Sequence, residues 1–116
     1  LDVLGEGFKI VGIFDKDKNK IGKTTANNLI VQDIQNVDEF IKNMKKEFNI
    51  KIDTAILAVV KEQAQIVAEG LVKNGICAIL NMTTYKLELN EKVRVVDMDI
   101  SAKLQELNFW RLNNTN

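Results

Sequence analysis

Histidine and proline are absent from the 116-residue sequence, and cysteine and serine occur once each, as Cys77 and Ser101. The missing histidine removes the commonest general base and the commonest metal ligand. One cysteine can neither close an intramolecular disulfide nor build a cysteine zinc cluster. No base stands in sequence to activate Ser101, so classical hydrolase chemistry is largely ruled out before any motif is read. Charge of one sign is also missing: sixteen Lys and Arg face sixteen Asp and Glu. A domain that binds DNA by itself usually carries a basic excess, because phosphate contacts supply most of the affinity. The longest apolar run, Ala55 to Val60, is far short of the roughly 18 residues of a membrane span. Leu1 to Glu6 lack the basic start and apolar stretch of a signal peptide. A cytoplasmic location is the simplest reading of these absences. What remains, 46% hydrophobic and 28% charged, is an ordinary balance for one globular domain.

Phe8 to Phe14 is apolar at nearly every position, as a strand covered on both faces would be. It ends at Asp15 and is followed by a polar loop, Lys16 to Lys20. Leu29 to Val31 is a second, short strand candidate. Val37, Phe40, Ile41, Met44 and Phe48 form one apolar stripe, which predicts a helix over 37–48. Asn36 suits its N-cap, with Glu39 placed as in a capping box. Thr54 to Val60 reads as a central buried strand. A second amphipathic helix spans Lys61 to Lys73, with Ala64, Val67, Ala68, Leu71 and Val72 inward and Asn74-Gly75 as its stop. Strands follow at Ile76 to Leu80 and Val93 to Val96. A last helix spans Ile100 to Leu112, with Ile100, Leu104, Leu107 and Trp110 in line.

Strands alternating with helices of about a dozen residues indicate an α/β fold, a Rossmann-like parallel sheet with helices on both faces. Such sheets bind ligands at the carboxyl ends of their strands. That directs attention to Asp15, Val59, Val60, Asn81–Thr83 and the Asp97–Asp99 region. Asp15 has two readings. An acid at the end of the second strand of a dinucleotide fold accepts hydrogen bonds from the adenosine ribose; an Asp also opens a solvated turn for local reasons. Asn81 could pair with a sugar hydroxyl or a nicotinamide amide, or close an Asx turn. Lys16, Lys18, Lys20 and Lys23 could meet a phosphate, but Asp15 and Asp17 neutralise half of that charge, which favours a solvated loop. Gly5-Glu6-Gly7 precedes a strand, whereas the G-x-G-x-x-G fingerprint follows one, and Ile10 occupies its last glycine position; it reads as a turn. Cys77, opening an apolar strand, is expected to be buried and inert. The last helix, rich in Leu104, Leu107, Phe109, Trp110 and Leu112, either covers its own domain or reaches a partner chain.

In order along the chain stand Gly7-Phe8-Lys9-Ile10-Val11, Phe14-Asp15, Lys20-Ile21-Gly22, Ala55-Ile56-Leu57-Ala58-Val59, Ala64-Gln65, and Leu71-Val72-Lys73-Asn74-Gly75-Ile76. Ile79-Leu80-Asn81, Leu87, Val96-Asp97-Met98-Asp99-Ile100 and Leu104-Gln105-Glu106-Leu107 complete the series. This pattern resembles the carboxyl-terminal part of the Rex family, bacterial redox-sensing transcriptional repressors; the final Leu-Gln-x-Leu run after Ile-Leu-Asn is its most specific piece. The resemblance implies a homodimeric repressor, with a winged helix on DNA, a Rossmann domain binding NAD(H), and a terminal helix swapped between subunits. It places Asp15 on the adenosine ribose, with Lys16 beside it, and Ile21 on the adenine side. Val59, Val60, Asn81 and Met82 would approach the ribose and nicotinamide, and Asp99 would couple cofactor state to domain arrangement. The chain departs from the family at Val60 and Thr84, where proline is usual, and at Met82, where an aromatic is common.

On this reading residues 1–98 are a partial NAD(H)-binding domain and residues 99–116 a helix used in dimerisation through Leu104, Leu107, Phe109 and Trp110. The winged helix, the first Rossmann strand and its glycine turn are expected to lie upstream of Leu1. NADH binding is then expected to be weak or absent in this piece, and DNA contact to come only from the missing part. In strand order 3-2-1-4-5-6, loss of strand 1 leaves Phe8–Phe14 and Thr54–Val60 each with an unpaired edge. No enzymatic role, metal site or membrane association is expected. The alternatives are a fragment of an NAD-dependent oxidoreductase and a CoA-binding Rossmann domain.

Overall fold

The computed structural model describes residues 7–26, 28–98 and 100–114, and its chain divides into two units, Leu1–Lys51 and Ile52–Asn116. Leu1 to Glu6, with Gly5, and Asp99 lie outside the described residues, as do the side chains of Ile100 and Ser101.

In the first unit, β1 (Ile13–Asp15) pairs in parallel with β2 (Val31–Asp33), in the register Ile13 to Val31 and Asp15 to Asp33. The strand expected over Phe8–Phe14 is therefore three residues long and begins at Ile13. Its ladder extends only as far as its partner, and residues 8–12 have none. The second strand also falls two residues later than the apolar run Leu29–Val31. The chain before it folds back on itself: Gly22 N donates to Val31 O (2.8 Å), Val31 N to Lys23 O (2.9 Å), and Thr24 bridges Ile30 antiparallel.

The helix α1 (Val37–Phe48) has the expected bounds. Its expected capping box is not formed: Asn36 makes no side-chain cap bond. The cap sits three residues earlier, where Asp33 Oδ1 accepts from Gln35 N at 2.9 Å and opens a single 3-10 turn, Ile34–Asn36, that runs into α1. Ile41 is the buried centre of the helix, and Phe40 meets Phe14 edge to face with ring centroids 5.1 Å apart. Such a pair is worth about 0.5–1.5 kcal/mol beyond its buried area. Gly12 makes room for it, since a Cβ there would lie 2.9 Å from the Phe14 ring and 3.0 Å from Phe40. Phe48, at the end of the predicted stripe, is exposed.

The second unit holds three parallel strands in the order β3 (Thr54–Leu57), β4 (Ala78–Asn81), β5 (Arg94–Asp97). The central position expected for Thr54–Val60 belongs instead to β4, the one strand of the three with a ladder on both sides. Register places Ala55, Ile79 and Val95 on one face and Ile56, Leu80 and Val96 on the other. The first face is covered by α2 (Lys61–Lys73), which buries Ala64, Ala68 and Leu71 together with Leu57 and Ile79. On the opposite face Ile56 and Val96 are exposed.

The end of α2 is a Schellman motif: Gly75 N donates to Val72 O and Ile76 N to Leu71 O, both at 3.1 Å, with Gly75 at φ 100°. That turn drops Ile76 into the core and starts β4. Cys77, expected to be buried, is exposed. It lies just ahead of β4 and beside Ile76, which takes the inward position. The last helix, α3 (Ile100–Asn114), runs two residues beyond its predicted end. Its described side chains, 103–113, are all exposed. No helix among the described residues is long and apolar enough to cross a membrane.

Candidate functional site

The strand ends place the predicted residues as follows. Asp15 closes β1, and its carboxylate serves the turn: Oδ1 accepts from Asp17 N at 3.0 Å, and Asp17 Oδ1 in turn accepts from Asn19 N at 2.9 Å. Two Asx turns in series thus carry the chain away from the strand, because a short carboxylate can stand in for a backbone acceptor. The other oxygen, Oδ2, faces Lys20 Nζ at 3.9 Å, and the Asp15 side chain keeps 37% of its surface. An exposed pair at that distance contributes at most about 1 kcal/mol. Asp15 therefore stands at a strand end and opens a turn, with one oxygen on that turn and the other facing Lys20. Lys16, Lys18, Lys20 and Lys23 are exposed; Ile21 is half-buried, its N–H on Asp17 O at 3.1 Å.

In the second unit Val59 and Val60 lead from β3 into α2. Val60 is the N-cap residue of α2, extended and exposed, and offers no side-chain cap. Gln63 N bonds back to Val60 O at 2.9 Å.

Asn81, the last residue of β4, is 1% exposed and the only buried polar residue among those described. All of its amide is engaged. Nδ2 donates to Tyr85 O (2.8 Å) and Asp97 Oδ1 (2.9 Å), and Oδ1 accepts from Thr83 N (3.0 Å) and Thr83 Oγ1 (2.6 Å). The side chain thus closes an Asx turn and ties β4 to β5, while Met82 N continues the ladder to Leu57 O at 2.8 Å. What Asn81 offers at the strand end is a fixed backbone, with Met82 half-buried beside it.

Sequence reasoning singled out Thr83 by position alone and missed Tyr85, the contact of Gln65 with Glu88 and the pairing role of Asp97. The i, i+2 spacing of Asn81 and Thr83 carries an Asx-turn signal. Gln65 gives no such signal, since its partner Glu88 lies 23 residues away. A surface groove of about 390 Å³ runs beside α1, lined by Gln32, Phe40, Asn43 and Met44 among others, and none of the predicted site residues borders it. No group of three or more Cys, Asp or Glu side chains able to hold a metal occurs among the described residues.

The sequence and its parallel α/β elements have counterparts in known proteins. Residues 5–85 match the family described as the CoA binding domain. The redox-sensing transcriptional repressor Rex of Thermotoga petrophila is 41% identical over 104 residues, which are 90% of this chain and 46% of that protein. Among solved structures, RSP, a Rex-family repressor, bound to β-NADH superposes with a TM-score of 0.72 at 31% identity, covering 92% of this chain and 48% of that one. RSP with β-NAD+ and operator DNA gives 0.67 at 30% identity, covering 88% and 43%. The chain thus spans about half the length of the relatives it matches. On sequence and fold together, it belongs to the CoA-binding-domain family, and over that part it is similar to Rex repressors.

Proposed function

We propose that this chain is the NAD(H)-sensing part of a redox-sensing transcriptional repressor. The observation that carries this is Asp15: a half-exposed carboxylate at the carboxyl end of a parallel strand, one oxygen spent on its own turn and the other held only by a long contact of 3.9 Å to Lys20. That is the disposition a ribose diol requires of its acceptor. In the first unit Asp15 takes the ribose, Lys16 lies beside it, and Ile21 offers apolar surface to the adenine. In the second, Val59, Val60, Met82 and the backbone at Asn81 form a rim at the ends of β3 and β4 that offers nucleotide contacts of its own. Asp99 takes the coupling role, and residues 1–98 together form the nucleotide-binding part. The role is binding rather than turnover. The sequence has no histidine, and the described residues hold no cluster of metal-ligating side chains.

Residues 99–116 supply a dimerisation helix. Leu104, Leu107, Phe109, Trp110 and Leu112 are each 59–70% exposed and are spread around the helix. A helix apolar on several sides is built to be enclosed, and a second copy of the chain is the occupant the family provides. Operator DNA is reached through residues outside this chain, in keeping with its zero net charge. The setting is cytoplasmic, where such a repressor works.

Titration of a full-length protein that carries this chain with NADH, NAD+ and coenzyme A tests the reading. NADH is expected to bind most tightly, without turnover, and Asp15→Ala to weaken it about tenfold, the loss of one or two charge-assisted hydrogen bonds. The family description favours coenzyme A as the second reading. Tighter binding of coenzyme A, insensitive to Asp15→Ala, would replace the first.

A further inference from the structure

Residues 82–93 join β4 to β5 without a helix, and in an α/β sheet a long strand-end connection of this kind is commonly a mobile flap. Here it is fastened twice. At its start, Asn81 holds Thr83 and Tyr85 through the bonds described above. Further on, Gln65 of α2 grips the backbone of Glu88 from both sides: Gln65 Nε2 donates to Glu88 O at 2.8 Å, and Glu88 N donates to Gln65 Oε1 at 2.9 Å. The side-chain amide thereby acts as a one-residue strand partner. Its second N–H is steered by Glu69, one turn along α2, whose Oε2 accepts at 3.1 Å. Glu69 fixes which way the amide faces, so donor and acceptor meet the correct backbone groups.

α2 begins immediately after Val60, and the connection begins immediately after Asn81. Gln65 therefore ties together the two segments that follow the ends of β3 and β4. We infer that Gln65 is a positioning residue: it locks the 82–93 connection onto α2, so that the rim formed by Val59–Val60 and Asn81–Met82 is set before any ligand arrives. This deepens, and for its ligand rests on, the nucleotide reading of that rim. A preset rim removes the ordering cost that a mobile loop would levy on binding.

Amide hydrogen exchange on the nucleotide-free protein tests the lock directly, comparing wild type with Gln65→Leu and, as a milder second variant, Glu69→Ala. In Gln65→Leu the Glu88 amide is expected to exchange about tenfold faster, the equivalent of two net hydrogen bonds, with a smaller rise at Thr83 and Tyr85. Amides of α2 and β4 should keep wild-type protection, and Glu69→Ala should fall between the two. Unchanged exchange at Glu88, or uniform acceleration throughout the second unit, would overturn the lock. NADH titration of a full-length protein that carries this chain adds the readout that a merely stabilising contact would not move. Affinity is expected to fall about three- to tenfold in Gln65→Leu, with Glu88 protection restored at saturation. A loosened connection with wild-type affinity would overturn the positioning role. Failure of the wild type to bind NADH would instead strike the nucleotide reading, and exchange alone would then decide the lock.

Discussion

Asn81 concentrates more structure in one side chain than any other described residue. Four hydrogen bonds converge on an amide with 1% exposure, and three of its partner groups belong to the turn that it closes. Asn81→Ala is expected to destabilise the second unit by about 2–3 kcal/mol, because it strands buried groups rather than merely removing a contact. Urea unfolding checks this, and a midpoint within error of wild type would show that water replaces the amide without loss. Asn81→Asp is expected to cost more than the size of the change suggests. It deletes the donors to Tyr85 O and Asp97 and sets two carboxylates against each other. Residues of this kind were partly legible in the sequence. Asp15 and Asn81 stand where apolar runs break off, and a strand-end position follows from that alone. Their division of labour did not follow, because it depends on which backbone groups come within 3 Å once the turn forms. The exposure of Cys77 was hidden for a similar reason: apolar neighbours in sequence do not say which residue takes the inward position.

At the scale of the element, the helices were the readable part. A 3.6-residue period belongs to the segment itself, so α1 and α2 begin and end where the pattern does. Strand lengths are a property of pairs. β1 is short because β2 is short, and the run Phe8–Gly12, apolar though it is, has no ladder to join. α3 is the element whose pattern is plain and whose role is not, since periodicity cannot tell a helix that covers its own domain from one that covers another. Its uniform exposure favours the second. The protein is expected to self-associate at micromolar concentration. Leu107→Asp should weaken that association at least about tenfold, as removal of a central apolar anchor does. Sedimentation velocity across a concentration series measures it. A monomer at every concentration would return α3 to the surface of its own domain.

For the whole molecule, two features decide what the chain does unaided: parallel strands whose carboxyl ends carry the candidate residues, and a charge of zero. With no basic excess to release counterions, the 116-residue chain alone is expected to bind operator DNA no better than about 100 µM at physiological salt, the weak end of non-specific binding. Fluorescence anisotropy with a labelled operator checks it. Binding that is tight and falls steeply with added salt would mean that a basic surface exists despite the balance of charges. The α/β class, the parallel pairing and the strand-end location of the candidate residues all follow from the alternation of apolar runs and helices. The division into two units does not, because composition changes little across residues 49–53.

The uncovered state of α3 has a practical consequence. Lys103 and Arg111 both lie on this helix with their side chains in solvent, so trypsin should nick a solitary chain at these two bonds early. A subunit whose tail is clasped by its neighbour should resist. The rate at which those fragments appear, followed while ligand or protein is added, then becomes a gauge of how often the tail is held.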